Sequence, residues 1–441
     1  MNSRQIILAI LKEFEARPGN VERMTERGVG RHRLDHRDRR FVFENVYGVV
    51  RNRTRLDFLI ESFLDDGRLL RNTDLMQILR LGIYQIVYLD RVPDHAAVNE
   101  SVTLARANTS TERFAGVVNA VLRNCIRHAG RLPAPDASLE LSRRLAILYS
   151  HPEWLVKKWL GQFGLASVKK LLAFNNTPPP VYLRRRLRGV SRTAFENDIR
   201  AIAEPAGGFQ GLYYRLTKRL DVADIGVLKG DGAVVQAPSS GWVCALLGLE
   251  PGQWCLDLCS APGGKASLAA ELVGGEGRVI ATEIQPKRFE KVVDVKRRLG
   301  LRNLLALVCD ANVPPFAVAF DSVLLDAPCT ATGVMHRHPD ARWIRDEQSV
   351  TTLAAVQARL LRSAADLTAP GGVLVYATCS LEPEENKVQV ESFLRENPTF
   401  VLEPPPGAVP RSLVTIEGYL QITPWEHGMD GMFAARMRKG R

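Results

Sequence analysis

The 441-residue sequence has no uninterrupted apolar run of the roughly 18 residues that a membrane-spanning helix requires. Its first residues also lack the apolar core and cleavage site of a secretory signal, and Glu13 and Glu15 lie in an amphipathic stretch there instead. We therefore expect a cytoplasmic protein with no membrane-spanning segment.

Cysteine is scarce as well, because the chain has seven cysteines and no two of them form a C-x-x-C pair. Such pairs are typical of zinc sites and redox motifs. The sequence therefore predicts reduced thiols and no metal site. Cys125, Cys244 and Cys255 fit the common role of free cysteine as a small buried hydrophobe.

Acidic residues are outnumbered, with 48 Asp and Glu against 59 Lys and Arg, which gives a formal net charge of +11. A basic balance favours polyanionic partners, of which nucleic acid is the leading class, although it also serves solubility. The densest basic stretch contains Arg31, Arg33, Arg37, Arg39, Arg40, Arg51, Arg53 and Arg55. It fits either a phosphate-binding surface or a solvated helix face.

The sequence divides into three predicted domains. In residues 1–135 the apolar residues recur at helical spacing, which predicts an all-α domain. Residues 136–229 read as a helical connector, which ends before consecutive prolines, and a small α+β module. Positive charge in that module suggests an RNA-facing surface built from Arg184, Arg185, Arg186 and Arg188.

Residues 230–441 change to short apolar runs that alternate with helical patterns. The runs predicted as strands are 254–258, 278–283, 304–308, 322–326 and 373–378. This alternation predicts an α/β domain with a mostly parallel sheet and helices on both faces. Because ligands bind at the carboxyl ends of strands in such folds, we expect functional residues to cluster there.

The first three predicted strands end in residues typical of a nucleoside-cofactor site. A turn with paired glycines, Gly263 and Gly264, follows the first strand, where it lets the backbone approach a ligand and leaves helix amides free. The turn matches neither G-x-G-x-x-G nor a Walker loop. Glu283 ends the second strand, where an acidic side chain accepts hydrogen bonds from ribose hydroxyls, and Asp310 ends the third.

Two cysteines follow the fourth and fifth predicted strands. Cys329 comes shortly after Asp326, and Cys379 comes directly after Thr378. In this fold both positions face the ligand crevice. The pair therefore suggests thiol chemistry.

These motifs together resemble the RNA cytosine-C5 methyltransferases. The resemblance is carried by Asp257-x-Cys-Ser-Ala-Pro-Gly-Gly-Lys265, Asp326-Ala-Pro-Cys329-Thr-Ala-Thr-Gly333, Arg337-His-Pro-Asp340-x-Arg-Trp343 and Tyr376-Ala-Thr-Cys379-Ser-x-x-Pro-Glu-Glu-Asn386. The N-terminal third resembles the NusB-like domain of the bacterial RsmB (Sun/Fmu) branch through Arg80-Leu-Gly-x-Tyr-Gln85, 90–100 and 114–123. The similarity covers nearly the whole chain.

The resemblance implies a Rossmann-like class I methyltransferase domain with an all-α NusB-like domain and a small α+β middle module. It implies S-adenosyl-L-methionine as cofactor and C5 of a cytosine in small-subunit (16S) ribosomal RNA as target. We expect a monomer without an obligate protein partner. The residues it assigns to the methionine part of the cofactor are Cys259, Ser260, Ala261, Pro262, Gly263, Gly264 and Lys265.

The resemblance also implies roles for the remaining site residues. Glu283 would bind the ribose, Asp310 would lie on the adenine side, and Asp326 would lie near the reacting methyl group. Cys379 would be the nucleophile, and Cys329 would assist product release. Asp326 would also stabilise the N3 side of the activated ring.

Covalent catalysis fits this chemistry because C5 of cytosine is too poor a nucleophile to attack a sulfonium methyl group unaided. A thiolate that adds to C6 raises the electron density at C5. DNA cytosine methyltransferases use the cysteine of the Pro-Cys motif, which would give the role to Cys329. The residues around Cys379 match the RNA family, and we therefore expect Cys379 to be the nucleophile.

The sequence departs from the family pattern at 236–240, where the common form carries an acidic pair after Gln236, and at Glu283, which replaces the commoner Asp. The alternatives are the same chemistry on transfer RNA or DNA, and a non-catalytic RNA-binding or assembly factor. His338, Arg342 and Trp343 fit either RNA contact or, for the tryptophan, the core.

Overall fold

The computed structural model describes residues 2–64, 67–218, 220 and 225–441. The chain folds into two compact units. The first contains Met1–Pro178 together with Met335–Glu347, and the second contains Pro179–Val334 and Gln348–Arg441. We call them the helical unit and the sheet unit.

The helical unit is built around a core of buried aliphatic side chains that includes Ile7, Leu56 and Leu79. Polar N-caps mark the start of some of its helices: the side chain of Asp35, for example, accepts a hydrogen bond from the Asp38 amide at 2.7 Å. The helices are α1 Ser3–Ala16, α2 Val21–Gly30, α3 His36–Arg51, α4 Arg53–Phe63, α5 Thr73–Tyr88, α6 Asp94–Arg106, α7 Ala115–Arg127, α8 Leu141–Tyr149 and α9 Glu153–Asn175.

The segment Met335–Glu347 lies in the chain between the motifs 326–333 and 376–386, but it belongs to the helical unit. Arg342 lies at its centre and is 1% exposed. Its guanidinium donates to the backbone oxygens of Arg51, Ser150 and Asn175 at 2.7 to 2.9 Å, and to Oδ1 of Asn176 at 2.9 Å. RNA contact, which the sequence left open for Arg342, is therefore not supported, because the guanidinium is enclosed and binds carbonyl groups.

Trp343 has a similar role beside it. The indole Nε1 donates to the backbone oxygen of Val50 at 2.7 Å, and the ring packs against the helical core. The guanidinium of Arg53 lies over the ring, 5.6 Å from its centroid. Of the two roles considered for Trp343, the structure supports packing within the unit.

The arginine-rich stretch does not form one surface. Arg51 is buried and donates to the backbone oxygen of His336 at 3.0 Å, and Arg53 pairs with Glu15 at 2.7 Å. Phosphate binding by Arg51 is therefore wrong, since its guanidinium is enclosed. The exposed members of the stretch are Arg31, Arg33, Arg37 and Arg40.

The sheet unit begins with a small four-stranded antiparallel sheet in the order β2-β3-β1-β4. Its elements are β1 Tyr182–Arg185, α10 Arg192–Ile199, β2 Ala203–Gly207, β3 Tyr213–Leu216, α11 Gly226–Lys229 and β4 Ala233–Val235. Arg184 is 0% exposed and binds Glu271 at 3.0 Å, while Arg186 binds the other oxygen of Glu271 at 2.9 Å. An RNA-facing role is therefore wrong for Arg184, whose side chain fixes this module to the larger sheet.

The larger sheet has eight strands, seven of which lie in the order β10-β12-β9-β8-β5-β6-β7, and β11 pairs with β12. The strands are β5 Trp254–Asp257, β6 Arg278–Glu283, β7 Leu304–Val308, β8 Phe320–Asp326, β9 Thr368–Thr378, β10 Phe400–Leu402, β11 Leu420–Ile422 and β12 Met432–Lys439. Strands β5 to β9 pair in parallel, while β10, β11 and β12 pair antiparallel. The helices in and around this sheet are α12 Pro238–Leu247, α13 Gly264–Val273, α14 Pro286–Arg298, α16 Glu347–Asp366, α17 Lys387–Glu396 and α18 Pro424–His427, whereas α15 Ala341–Ile344 lies in the segment that belongs to the helical unit.

The topology fixes where a ligand binds. From β5 the chain runs through β6 to β7 on one side and then returns to β8 and β9 on the other. The crevice at the carboxyl ends of β5 and β8 is therefore a topological switch point. The predicted fold class is confirmed, and none of the described helices is both long and apolar enough to cross a membrane.

Candidate active site

Parallel pairing of β8 with β9 brings the two cysteine-bearing segments together. Asp326 and Ala377 are register partners, and the pairing continues past the strand ends where the Ala327 amide donates to Ala377. Beyond that point, Sγ of Cys329 lies 3.3 Å from Sγ of Cys379. Two thiols that are 50 positions apart in the sequence thus form one site.

The environment of Cys329 favours its protonated form. A hydrogen bond to Cys379, burial, and the nearby charges of Cys379 and Glu385 raise the pKa of Cys329 well above its usual value. At neutral pH, Cys329 is therefore a thiol whose hydrogen is available to the Cys379 sulfur.

A partly buried ion pair lies at the ends of β5 and β8. Nζ of Lys265 lies 2.6 Å from Oδ2 of Asp326, and their side chains are 13% and 27% exposed. Burial acts to lower the pKa of Lys265, but the charge and hydrogen bond of Asp326 outweigh it and raise that pKa above its usual range. Lys265 is therefore a fixed cation beside the turn that follows β5.

Asp257 ends β5 and is 1% exposed. Burial, reinforced by the charge of Asp326, raises the pKa of Asp257 to about 7. Its carboxyl group therefore changes protonation near neutral pH. Asp326 has a cationic partner at hydrogen-bond distance, whereas Asp257 has none among the residues that the structure describes.

The turn between β5 and α13 has a backbone that requires glycine. Gly263 has a φ of +101°, and a Cβ atom there would lie 3.2 Å from Cα of Val292. Helix α13 begins at Gly264, so its first amides point out of the turn. Such amides form a binding site for a polar or anionic group.

The acidic residue that ends β6 and the one that follows β7 differ in exposure. Glu283 is 3% exposed, and its Oε1 accepts a hydrogen bond from the Gln285 amide at 3.0 Å. Asp310 lies nearer the surface, where hydrogen bonds from the backbone and side chain of Asn312 lower its pKa. Because β6 and β7 are neighbours, both acids follow adjacent strands on the same edge of the sheet.

Comparison with known families covers most of the chain. The model of the 16S rRNA methyltransferase RsmB/F family matches residues 244–438. The NusB family matches residues 1–127, and the RsmF/B-like ferredoxin-like domain matches residues 151–201.

Full-length relatives decide the family. A probable ribosomal RNA small subunit methyltransferase B from Synechocystis sp. is 34% identical, with 100% of each chain covered. The protein of the same name from Bacillus subtilis is 31% identical over 99% of this chain and 98% of its own. The chain belongs to the ribosomal RNA small subunit methyltransferase B (RsmB) family. It is a methyltransferase that uses S-adenosylmethionine.

Solved structures share the fold of this RsmB-family enzyme. PH0851 is similar with a TM-score of 0.81 at 23% identity, over 99% of this chain and 98% of that one. NSun6 from Pyrococcus horikoshii is similar with a TM-score of 0.60 at 19% identity, over 67% of this chain and 100% of its own.

The crevice of this RsmB-family chain fits the cofactor. The left-handed Gly263 and the open amides of α13 leave room for a ligand against the backbone. The buried carboxylate of Glu283 is an acceptor of the kind that binds ribose hydroxyls. S-adenosylmethionine contains both a polar amino-acid end and a ribose, so the residues present match the groups they would hold.

The segment that departs from the family pattern lies next to this turn. Oε1 of Gln236 accepts from the Tyr213 hydroxyl at 3.3 Å, and its Nε2 lies 3.2 Å from where a Cβ atom on Gly264 would stand. Pro238 begins α12 and Ser239 is buried within it. At 237–240 the chain thus starts a helix in the core.

The predicted burial of Cys125, Cys244 and Cys255 is confirmed, since each is 0% exposed.

Two site residues were missed by the sequence interpretation. Glu385 and Gln357 are both 0% exposed and contact each other at 2.9 Å beside the cysteine segments. Glu385 lies inside the motif 376–386, so its membership of that motif could have identified it as a site residue. Gln357 is an ordinary residue of α16, and no pattern in the sequence distinguishes it.

Proposed function

We propose that this chain transfers a methyl group to C5 of a cytosine in small-subunit ribosomal RNA through a covalent bond between Cys379 and C6. The observation that carries the proposal is the 3.3 Å separation of the Cys329 and Cys379 sulfurs beside the crevice. The names of the full-length relatives support ribosomal RNA as the substrate.

In this proposal the cofactor is held by the turn 259–265, by Glu283 at the ribose and by Asp310 on the adenine side. When bound, S-adenosylmethionine supplies an electrophilic methyl group on a sulfonium centre. The protein must then make C5 of the target base nucleophilic. A base paired in a helix must leave its stack to reach Cys379, so we expect an unpaired or flipped cytosine.

Cys379 begins the reaction as a thiolate. Its sulfur forms a bond to C6, and the electron pair of the C5–C6 double bond moves towards C5 and the N3 side of the ring. The neighbouring Cys329 thiol, whose pKa is raised, stabilises the thiolate before it adds. The Lys265 cation, which Asp326 holds in place at 2.6 Å, stabilises the N3 edge of the ring as negative charge develops there.

Product release requires the bond between C6 and the Cys379 sulfur to break. The proton on the methylated C5 passes to water, its electron pair restores the C5–C6 double bond, and the bond between C6 and the Cys379 sulfur breaks with its electrons on sulfur. The S–H of Cys329 stabilises that departing thiolate through the same contact. Loss of Cys329 should therefore slow release more than addition.

The experiment is methyl transfer from isotope-labelled S-adenosylmethionine to unmodified small-subunit ribosomal RNA. Small-subunit particles, transfer RNA and DNA are tested in parallel, and the product nucleoside is identified. We expect label in 5-methylcytosine of the ribosomal RNA. Label confined to transfer RNA or DNA would overturn the proposed substrate, and no label in any of the four would overturn the activity.

Cysteine variants test the mechanism. We expect Cys379→Ala to abolish both methylation and any RNA adduct, and Cys329→Ala to leave a covalent complex that runs slowly on a denaturing gel. Cys125→Ala, in the helical unit, is the matched control and should behave like the unchanged chain. The opposite pattern for Cys329 and Cys379 would make Cys329 the nucleophile.

A further inference from the structure

One buried carboxylate bonds to both cysteine segments. Oε1 of Glu385 accepts a hydrogen bond from the backbone amide of Thr330 at 2.9 Å, and Oε2 accepts from the hydroxyl groups of Thr330 and Ser380. Thr330 directly follows Cys329, and Ser380 directly follows Cys379. Glu385 thus connects the two residues that come immediately after the two thiols.

Helix α16 anchors the carboxylate from the other side. Nε2 of Gln357 donates to Oε1 of Glu385 and to the backbone oxygen of Pro328, both at 2.9 Å. Pro328 directly precedes Cys329, so the residues on both sides of the cysteine in the chain are held by hydrogen bonds to this cluster. The Tyr376 hydroxyl also donates to the backbone oxygen of Glu385 at 2.6 Å.

The two cysteine segments depend on Glu385 to different degrees. The Cys379 segment has hydrogen bonds that do not involve this carboxylate: the Gly333 amide donates to the Cys379 oxygen, and Nδ2 of Asn386 donates to the Ser380 oxygen, both at 2.9 Å. On the Cys329 side, the bond from Gln357 to the Pro328 oxygen also avoids the carboxylate, but the amide that directly follows Cys329 is bound by Glu385 itself. Removal of the carboxylate should therefore displace Cys329 more than Cys379.

We propose that Glu385 is a positioning residue that holds the Cys329 thiol against the Cys379 sulfur. The role in catalysis rests on the proposed covalent mechanism, in which Cys329 assists release. A displaced Cys329 cannot stabilise the departing thiolate, so the covalent RNA complex accumulates. Addition of Cys379 to C6 continues because its own segment stays in place.

The charge of Glu385 also acts on Cys329. The groups that face Cys329 are the sulfur of Cys379, the carboxylate of Glu385 and the hydroxyl of Tyr376. The hydrogen bond to Cys379 and burial are the main causes of the raised pKa of Cys329, and the Glu385 charge adds to them. Neutralising Glu385 should therefore let Cys329 ionise at lower pH.

The first test uses the full-length chain with Glu385→Gln, which keeps the side-chain length but places an amide group opposite N–H and O–H donors. We expect turnover to fall by about tenfold to 100-fold, as for a catalytic group displaced by about 1 Å. The RNA adduct should accumulate while cofactor affinity stays within about twofold, since Glu385 does not contact the cofactor turn. Glu391→Gln removes an equal charge from an exposed position of α17. It should leave turnover and the amount of RNA adduct unchanged.

The second test needs no RNA. Alkylation of Cys329 by iodoacetamide is followed against pH by mass spectrometry in the unchanged chain and in Glu385→Gln. We expect Cys329 of the variant to react at lower pH. If no variant forms an RNA adduct at all, the covalent mechanism fails, and this alkylation profile still decides whether Glu385 controls Cys329.

Two results would overturn the proposal. One is a Glu385→Gln variant that turns over and alkylates like the unchanged chain. The other is a folded variant that loses the adduct together with turnover, because the carboxylate would then support Cys379. If Glu385→Gln does not fold, Gln357→Met removes the α16 anchor without changing charge, and it should accumulate the adduct to a smaller extent.

Discussion

The arginine-rich stretch of the helical unit and the strand ends of the sheet unit are both conspicuous in the sequence, but they fold differently. At the strand ends, residues far apart in sequence come together: Lys265 pairs with Asp326, and Cys329 lies against Cys379. In the helical unit, neighbouring arginines separate, since Arg51 is buried and Arg40 is exposed. Residues that follow parallel strands can thus be predicted to lie close to one another. A high density of charged residues in helices does not predict that they share one exposed surface.

The physical reason lies in the two geometries. Parallel strands end on one edge of a sheet, so any polar residue directly after a strand is delivered to the same crevice. Successive residues of a helix point in different directions, and what packs against each direction depends on distant segments. For Arg51, that distant segment is 335–347, whose His336 oxygen accepts its hydrogen bond.

The largest expected effect is on the folding of the helical unit. Arg342→Met removes a guanidinium that donates to four acceptors, three of them in buried hydrogen bonds, and deprives them of this donor. We expect the free energy of unfolding to fall by about 3 kcal/mol, measured by urea denaturation. Arg31→Met, at an exposed position, should change it by less than about 0.5 kcal/mol. Equal losses in the free energy of unfolding would mean that the buried arginine contributes no more to folding than the exposed one.

The next effect concerns chemistry at the strand ends. Lys265→Met removes the cation that pairs with Asp326, and we expect methyl transfer to fall by about 100-fold with the fold retained. Single-turnover transfer of labelled methyl groups measures it. Lys291→Met, on the exposed surface of α14, is the control. Full activity of Lys265→Met would remove this ion pair from the mechanism.

A smaller effect should come from the arginines that stay exposed. Replacing Arg31, Arg33, Arg37 and Arg40 together by Gln should lower affinity for ribosomal RNA by about tenfold at low salt and flatten its salt dependence. Filter binding across a salt series measures both. The control replaces exposed arginines of the sheet unit, namely Arg297, Arg302, Arg395 and Arg411. If both sets weaken binding equally, the basic stretch has no special part in RNA contact.

The smallest effect is a change in how stability depends on pH. The folded-state pKa of Asp257 is about 7, above its unfolded value, so its contribution to stability is present at low pH and is lost as the pH rises through 7. Asp257→Asn cannot ionise. The loss of thermal stability between pH 5.5 and 8 should therefore shrink by a few degrees, measured as Tm. An unchanged pH dependence would show that burial at this strand end does not perturb Asp257.

Much of the sheet unit could be predicted from sequence. The five parallel strands lie where the apolar runs are, with β6 and β7 at the predicted bounds. The antiparallel strands β10, β11 and β12 were not predicted, because they have no motif and their place in the sheet is set by tertiary pairing, of β10 and β11 with β12 and of β12 with β9. For the same reason Gln357 could not be predicted as a partner of Glu385.

The sequence by itself determined the alternation of strands and helices, the glycine turn and the placement of acids and thiols after strands, because these are local patterns with a fixed spatial meaning in a parallel sheet. Only the tertiary structure decided which arginines are enclosed, that Arg342 serves the helical unit, and that Glu385 bonds to both cysteine segments. Those outcomes depend on contacts between residues tens to hundreds of positions apart. Burial and hydrogen bonding at such distances are properties of the packed chain, and local patterns do not specify them.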